Sequence, residues 1–349
     1  MDIICYDRSR GKLIYALEFL SYLNTASYKT GFALSAEQAS YYKSLFRFLP
    51  NITVSDKATA DRKALHLVFS EVPRRDEELR PHLIFPVTSH EKKGEWEALT
   101  AENTIPLGET NNLRQSVFTA DYLSACDMLE RRLGDVPLRN KRLIVSAGPT
   151  AEDIDPVRFI TNRSTGKMGI AVARAAYRMG AEVLLILGPS SEAVPFCLKT
   201  KRVRSAAEMA EAVISAFPRY DAYIAAAAVA DFTPAKTAEH KIKKSEAGLT
   251  LHLTRTPDIL EGLKERRPGQ MVAGFSMETE NLLQNSLLKL RRKKLDWIVA
   301  NNPTEQGAGF AADTNKVVLI GKQGQELELP KASKMKVAEQ LLQIIFRLK

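Results

Sequence analysis

The sequence predicts an α/β protein of two domains, the C-terminal one a Rossmann-like layered fold around a mostly parallel sheet. Three observations lead there. From about residue 140 onward, short apolar runs alternate with amphipathic stretches of helical length, the rhythm of strands joined by crossover helices. The first of those runs, Leu143–Ala147, is apolar or small throughout rather than alternating, as a strand covered on both faces must be. It ends in Gly148-Pro149, and a polar loop then leads to a helix start near Ser164-Thr165-Gly166.

In this C-terminal part strands are predicted at 142–147, 182–187, 221–228, 271–275, 297–301 and 316–320, and helices at 166–180, 206–217, 280–294 and 333–347. A further strand at 325–329, reached through Gly321-Lys-Gln-Gly324, predicts a hairpin at the sheet edge. Gly134-Asp-Val-Pro137 reads as a short linker, which sets the domains at 1–137 and 138–349. The first domain offers strands at 2–6, 64–72 and 82–88 and a helix over Phe118–Leu133, with no internal repeat or low-complexity segment. In open α/β sheets ligands gather outside the carboxyl ends of the strands. Every polar motif of the C-terminal part follows or ends a predicted strand.

Composition narrows the function. A chain of 349 residues can build two cores. No stretch of about 18 apolar residues predicts a membrane span, and the opening MDIICYDRSRGK is too polar for a signal peptide. Cys5, Cys126 and Cys197 are scattered without CxxC or Cys/His spacing, so neither structural zinc nor a disulfide framework is expected, and a reducing cytoplasm is. The charge is uneven. Residues 141–349 hold 32 Lys+Arg against 22 Asp+Glu, whereas 1–140 hold 18 against 19. The positive side chains interleave with motif residues, and no aromatic platform or basic tail accompanies them. That favours small polyanions over nucleic acid or a membrane surface.

The motifs fit such ligands. AGPTAEDIDPVRFITNRSTGKMG places glycines and a helix N-terminus after the first strand, a setting in which backbone N–H groups favour an anion. It is neither the P-loop nor the G-x-G-x-x-G pattern. AAAAVADF ends a strand in small side chains followed by an acid, HKIKK supplies clustered cations, and Lys289 and Lys293 share a helix face at i and i+4.

Together with TPDIL at 256–260, AGFSMET at 273–279, KLRRKKLDWIVAN at 289–301 and GFAADTNKV at 309–317, these segments resemble phosphopantothenate–cysteine ligase, the synthetase half of the bacterial bifunctional coenzyme A protein. The resemblance runs from about residue 140 to residue 349, and DPVRFITNRSTGKMG looks like the bacterial, CTP-using form. It implies a two-step ligation. The carboxylate of 4′-phosphopantothenate attacks the α-phosphate of CTP to give an acyl-cytidylate and pyrophosphate, and the amine of L-cysteine then displaces CMP. An anion attacking a polyanion needs positive groups and Mg²⁺ to offset charge and hold the partners in line.

By the same resemblance Asn162 contacts the acyl-cytidylate, and Lys241 closes on the α-phosphate and the reacting carboxylate. Ala225, Ala226, Ala227, Asp231, Pro257, Asp258, Ile259, Leu260 and Phe275 hold the nucleotide, and Lys289 and Lys293 hold its triphosphate. Arg158 and Arg163 are candidates for a phosphate or carboxylate reached from a neighbouring subunit, or for surface ion pairs. Lys167 is a candidate for phosphate, and Lys243 and Lys244 for supporting charge. The stretch Thr233–Gly248 has no periodicity and looks like a mobile flap. Magnesium is implied by the triphosphate, with no protein ligand assigned.

The family works as a dimer whose neighbour completes the pocket, so a homodimer is expected. In the bifunctional relatives the preceding domain is a flavin-dependent decarboxylase. Residues 1–137 show neither its Asn motif nor a glycine loop, so a divergent α/β domain without FMN is expected. Two other functions compete: a nicotinamide-dependent reductase, which would need G-x-G-x-x-G, and a non-catalytic nucleotide-binding protein, which could dispense with Asn162 and Lys241.

Overall fold

The computed structural model describes residues 134–244, 249–278, 280–301 and 312–348, residues 123–131 apart from 125 and 129, and the backbone of six strands among the first 108 residues. The chain divides into two compact units, residues 1–132 with 193–197, and residues 133–192 with 198–349.

In the first unit, β1 (Ile3–Arg8), β2 (Thr30–Ala33), β3 (Ile52–Ser55), β4 (Leu65–Ser70), β5 (His82–Thr88) and β6 (Leu107–Gly108) form one parallel sheet in the order β3-β2-β1-β4-β5-β6. The strands predicted at 2–6, 64–72 and 82–88 are β1, β4 and β5. Residues 123–131 are helical where described, within the helix predicted over 118–133.

The second unit is an eight-stranded sheet. Its members are β7 (Arg142–Ala147), β10 (Glu182–Leu187), β11 (Lys199–Arg202), β12 (Ala222–Ala225), β15 (Met271–Met277), β16 (Trp297–Asn301), β17 (Thr314–Gly321) and β18 (Glu326–Ser333). The order is β11-β10-β7-β12-β15-β16-β17-β18, parallel from β11 through β16 and closed by antiparallel β17 and β18. Two small hairpins stand apart from it, β8 (Ala151–Asp153) with β9 (Phe159–Thr161) and β13 (Phe232–Pro234) with β14 (Leu253–Arg255).

The helices make the outer layers. One face of the sheet carries α1 (Lys167–Arg178) and α5 (Lys334–Ile345), which pack on each other. The other carries α2 (Ala206–Ala216), α3 (Ile259–Gly262) and α4 (Leu282–Arg292). The alternation of β7 explains the split. Ile144 joins Met209, Val213, Leu290 and Ile298 in the core under α2 and α4, while Leu143 and Val145 point the other way, and all three are fully buried. Burying each such side chain stabilises the fold by about 1.5–3 kcal/mol. Both sheet edges are charged. Lys199, Lys201 and Arg202 line β11, and Glu326, Glu328 and Lys331 line β18, where Pro330 also sits without disturbing a ladder; such edges resist pairing with another chain.

Most predicted elements match within a residue or two. Two differ more. The strand predicted over 221–228 is regular only to Ala225; beyond it Ala226 N and Ala228 N still reach Ser146 O in β7 and Gly148 O just past it, and Ala228 keeps an isolated parallel bridge to Pro149. The strand predicted over 271–275 continues to Met277, paired with Asn301 of β16.

Candidate functional site

Sheet order reverses between β7 and β12: the chain goes from β7 outward to β10 and β11, then back across to β12. The crevice at that reversal, beyond the carboxyl ends of the strands, is where such sheets bind ligands. The loop after β7 begins at Gly148 with φ 78° and closes at Gly166 with φ 89°, both left-handed. The two pack so closely that a Cβ on Gly166 would stand 3.2 Å from the Gly148 nitrogen.

Thr150 knots this loop to the residues after β12. Its N–H donates to Ala228 O (3.3 Å), its Oγ1 accepts from Ala230 N (3.0 Å), and its carbonyl accepts from Thr161 Oγ1 (2.7 Å). Asn162, exposed just past β9, donates through Nδ2 to Ala228 O (2.9 Å) and Val229 O (3.3 Å). Asn162 and the half-buried Ala225–Ala227 thereby border the same crevice.

The next wall is tied on by Thr256, whose N–H donates to Asp231 O (3.0 Å) and whose Oγ1 donates to Ala230 O (2.6 Å). Asp231 thus lies beside Pro257 and Asp258, all three exposed. Asp258 caps α3 by accepting from Glu261 N (3.0 Å). Ile259 is buried in the core and Leu260 packs against it, so of this segment Pro257 and Asp258 face outward.

Helix α4 supplies the cations. Lys289 Nζ donates to the carbonyl of Phe275 (2.9 Å) at the end of β15. Burial pulls its pKa below the usual lysine value, and the charges of Glu278, Asp231 and Asp258 offset only part of that. Lys293, nearly buried, pairs with Asp258 and with Glu261 (3.1 Å). Burial acts to lower its pKa too, but these two carboxylates outweigh it and the net direction is upward. Asp258 is held below its ordinary range: burial opposes this, and the hydrogen bonds from Lys293 and Glu261 N prevail. Asp231, Asp258, Phe275, Lys289 and Lys293 are therefore one constellation, with Lys293 already engaged by carboxylates.

Three candidates have partners within the fold. Arg158, 41% exposed, makes an ion pair, one of the two roles its sequence allows: Nε (3.1 Å) and Nη2 (2.5 Å) both donate to Oδ2 of the buried Asp155, and Nη2 also donates to Ile242 O (3.1 Å). Lys167, in the first turn of α1, pairs with Asp313 (2.6 Å), and that hydrogen bond, working against burial, raises its pKa. The stretch read as a flap is anchored over its described part: Ala235 N donates to His252 O (2.8 Å), Ala238 N to Ile154 O (2.9 Å) and Ile242 N to Asp155 Oδ2 (3.1 Å). Its bonds go to loops rather than to a helix or a long ladder, which is why no periodicity marks it. Lys241, Lys243 and Lys244 are exposed on that stretch, and Lys241 makes no hydrogen bond or ion pair among the described residues. Arg163 is exposed as well.

Sequence reasoning passed over Thr150, Asp155, Thr256 and Glu261. For Asp155 a signal existed: Asp-Pro favours a turn, and here Asp155 Oδ1 accepts from Val157 N (2.8 Å) and Arg158 N (2.9 Å). Nothing local marks Thr150 or Thr256, whose partners lie far along the chain, and Glu261 has besides its local partner Lys264 a distant one in Lys293. Among the described residues no group of three His, Cys, Asp or Glu side chains is placed to hold a metal ion, and no helix is long and apolar enough to cross a membrane.

Known proteins share this fold and sequence. The chain is 50% identical over 210 residues to the coenzyme A biosynthesis bifunctional protein CoaBC of Bacillus subtilis strain 168, covering 60% of this chain and 52% of the relative. It is 43% identical over 225 residues to a cysteine/cysteine sulfinic acid decarboxylase of an unknown prokaryotic organism, covering 63% and 62%. It thus spans little more than half the length of these curated relatives. Among solved structures, the C-terminal domain of a coenzyme A biosynthesis bifunctional protein CoaBC superposes with a TM-score of 0.53 at 40% identity, over 61% of this chain and 98% of that domain. Residues 138–348 match the DNA/pantothenate metabolism flavoprotein C-terminal domain, and with more than half its length inside that match the chain belongs to this family.

Proposed function

We propose that the chain is a phosphopantothenate–cysteine ligase of coenzyme A biosynthesis, consuming CTP and yielding 4′-phosphopantothenoyl-cysteine, CMP and pyrophosphate. The observation that carries this is the constellation at the sheet reversal. Asn162 and Ala225–Ala227 border one side of the crevice, and Asp231, Asp258, Phe275, Lys289 and Lys293 are tied together on the other. The family match over the same residues supports it.

In this proposal the nucleotide base and ribose lie against Ala225–Ala227, Asp231, Phe275 and the Pro257–Leu260 backbone. Lys289 binds the triphosphate directly, and Lys293 does so by sharing its charge between phosphate and Asp258. The low pKa of Asp258 keeps it charged at neutral pH, so Lys293 approaches phosphate without losing its fixed position. Asn162 hydrogen-bonds the activated acyl group. Lys241 neutralises charge that builds up as the carboxylate oxygen attacks the α-phosphorus and pyrophosphate leaves, a contribution on the order of a few kcal/mol to the transition state. The cysteine amine then attacks the acyl carbon, the C–O bond to CMP breaks, and the amine proton is lost to solvent. Mg²⁺ would accompany the triphosphate and offset its charge; among the described residues no group of three His, Cys, Asp or Glu side chains is placed to hold it. FMN has no part in the proposal, and a flavin spectrum on the purified chain would overturn that element. A homodimer in the cytoplasm is proposed on the family pattern.

The test is pyrophosphate release with 4′-phosphopantothenate, L-cysteine, Mg²⁺ and each of the four nucleoside triphosphates, with the product identified by mass. CTP-dependent pyrophosphate together with 4′-phosphopantothenoyl-cysteine is expected. No product with any nucleotide overturns the ligase, and an equal rate with ATP overturns the CTP preference.

A further inference from the structure

Asp155 is a carboxylate with no route to a ligand. It is 1% exposed, and its two oxygens accept from five donors. Oδ1 takes Val157 N and Arg158 N; Oδ2 takes Arg158 Nε, Arg158 Nη2 and Ile242 N. A carboxylate offers about four lone-pair directions, so nothing is left for a substrate. Four of the donors are local and would suffice for a turn. The fifth, Ile242 N at 3.1 Å, comes from 87 residues along the chain.

Arg158 completes the contact. Its Nη2, fixed by Asp155, donates to the carbonyl of the same Ile242 at 3.1 Å. The N–H and the C=O of Ile242 are thus both engaged, as a neighbouring strand would engage them, but by two side chains of one ion pair. Charge-assisted bonds of this kind are about twice as strong as neutral ones. Thr237 Oγ1 to Asp153 O (3.1 Å) and Ala238 N to Ile154 O (2.9 Å) add two more ties, so residues 237–242 lie along residues 153–158. The residue before Ile242 is Lys241, whose own side chain is exposed and makes no bond among the described residues. Its location is therefore set through its backbone.

We propose that Asp155 is a positioning residue for Lys241: with Arg158 as its extension, it holds the Lys241–Ile242 backbone where the lysine can reach the reacting groups. The anchor itself is independent of the reaction, and its catalytic consequence rests on the ligase reading above. It also accounts for the two contacts of Arg158, whose side chain stays 41% exposed.

Asp155→Asn, which keeps the shape and removes the charge, tests this by hydrogen exchange and by kinetics. Exchange is read on the protein without substrates. The Ile242 amide is expected to exchange about tenfold faster or more than in the wild type, while amides of β7 keep their protection. In ligation, kcat is expected to fall about tenfold or more with KM for CTP changed less than about threefold, because the nucleotide constellation is elsewhere. Combining Asp155→Asn with Lys241→Gln is expected to cost little beyond Lys241→Gln alone, since both act through one group.

Unchanged exchange at Ile242 overturns the anchor. Full additivity of the two substitutions overturns action through Lys241. A wild-type chain that ligates nothing overturns the ligase reading while the exchange result stands by itself. Ile242→Pro serves where Asp155→Asn does not fold: it deletes the tethering N–H, with φ fixed at 242 and Lys241 held extended, and leaves both partners of the Asp155–Arg158 pair in the chain. Faster exchange at Ala238, whose N–H donates to Ile154 O, is then expected, and an unchanged rate overturns the anchor.

Discussion

Lys289 shows how a single residue bears both on the stability of this fold and on its proposed chemistry. Its ammonium is drawn into the end of β15 onto the Phe275 carbonyl, and burial lowers its pKa. Burial acts against the charged form and the neighbouring carboxylates offset only part of this, so holding the proton on Lys289 is a cost to folding. Between the lowered folded value and the ordinary lysine value, the unfolded chain holds a proton that the folded chain has released. Stability from this group therefore rises with pH across that window. Lys289→Met removes the buried charge. The variant is expected to unfold at the same or a higher urea midpoint at neutral pH, to lack the alkaline rise, and to show KM for CTP raised about tenfold or more. Urea titrations at several pH values with steady-state kinetics check it, and a destabilised variant with unchanged KM would contradict both halves. Lys293 behaves differently because Asp258 and Glu261 already neutralise it. Its loss leaves Asp258 without its cation and Glu261 with Lys264 alone, so Lys293 variants mix a stability effect with a binding effect and Lys289 gives the cleaner test.

At the scale of elements, the ends of β7 and β10 fix the loop that opens the site. Gly188, just past β10, gives its N–H to Ala147 O (3.0 Å), and a Cβ there would stand 1.7 Å from the Pro149 carbonyl oxygen. No rotamer relieves a backbone clash of that depth, so Gly188→Ala must displace the turn at 148–150 and with it Thr150 and the Asn162 contacts. A loss of about 2 kcal/mol or more in the unfolding free energy of the C-terminal unit is expected, with ligation reduced further than folding explains; chemical denaturation and a single-turnover assay measure the two. The same elements show what the sequence could disclose. Leu143–Ala147, Glu182–Leu187 and Trp297–Asn301 are legible because a strand buried on both faces must be nearly all apolar. Lys199–Arg202 is not, since an edge strand made of KTKR takes its structure from pairing with β10 and carries no apolar signal. The three-residue strands β8, β9, β13 and β14 are too short for a period to show. In the site, the lysine pair at i and i+4 and the Asn162 motif stood out by spacing and resemblance. The Asp155–Ile242 tie joins residues 87 apart and has no local pattern to betray it.

For the whole molecule, the two hairpins beside the sheet carry more exposed apolar surface than a monomer needs. Val157 is 59% exposed, Phe159 49%, Phe232 50% and Leu253 44%, on segments that also carry Asp155 or flank the Lys241 stretch. Large apolar groups left in water beside a binding site usually meet a partner. We propose that this partner is a second copy of this chain. Such a symmetric contact would present each hairpin to its counterpart's site, and it would bury the aromatic groups that serve best as anchors. Phe159 already bears Arg204 over its ring, 5.3 Å from the centroid, so its position is set before any partner arrives. Sedimentation of the wild-type chain at assay concentration is expected to show a dimer. Phe159→Ser with Phe232→Ser is expected to shift it toward monomer and to lower ligation by about tenfold or more, in proportion to the monomer fraction. Both side chains are half in solvent in the single chain, so folding is expected to survive with little change in the unfolding midpoint. A fully active wild-type monomer would refute the dimer, and a double variant that stays dimeric would move the interface off these hairpins.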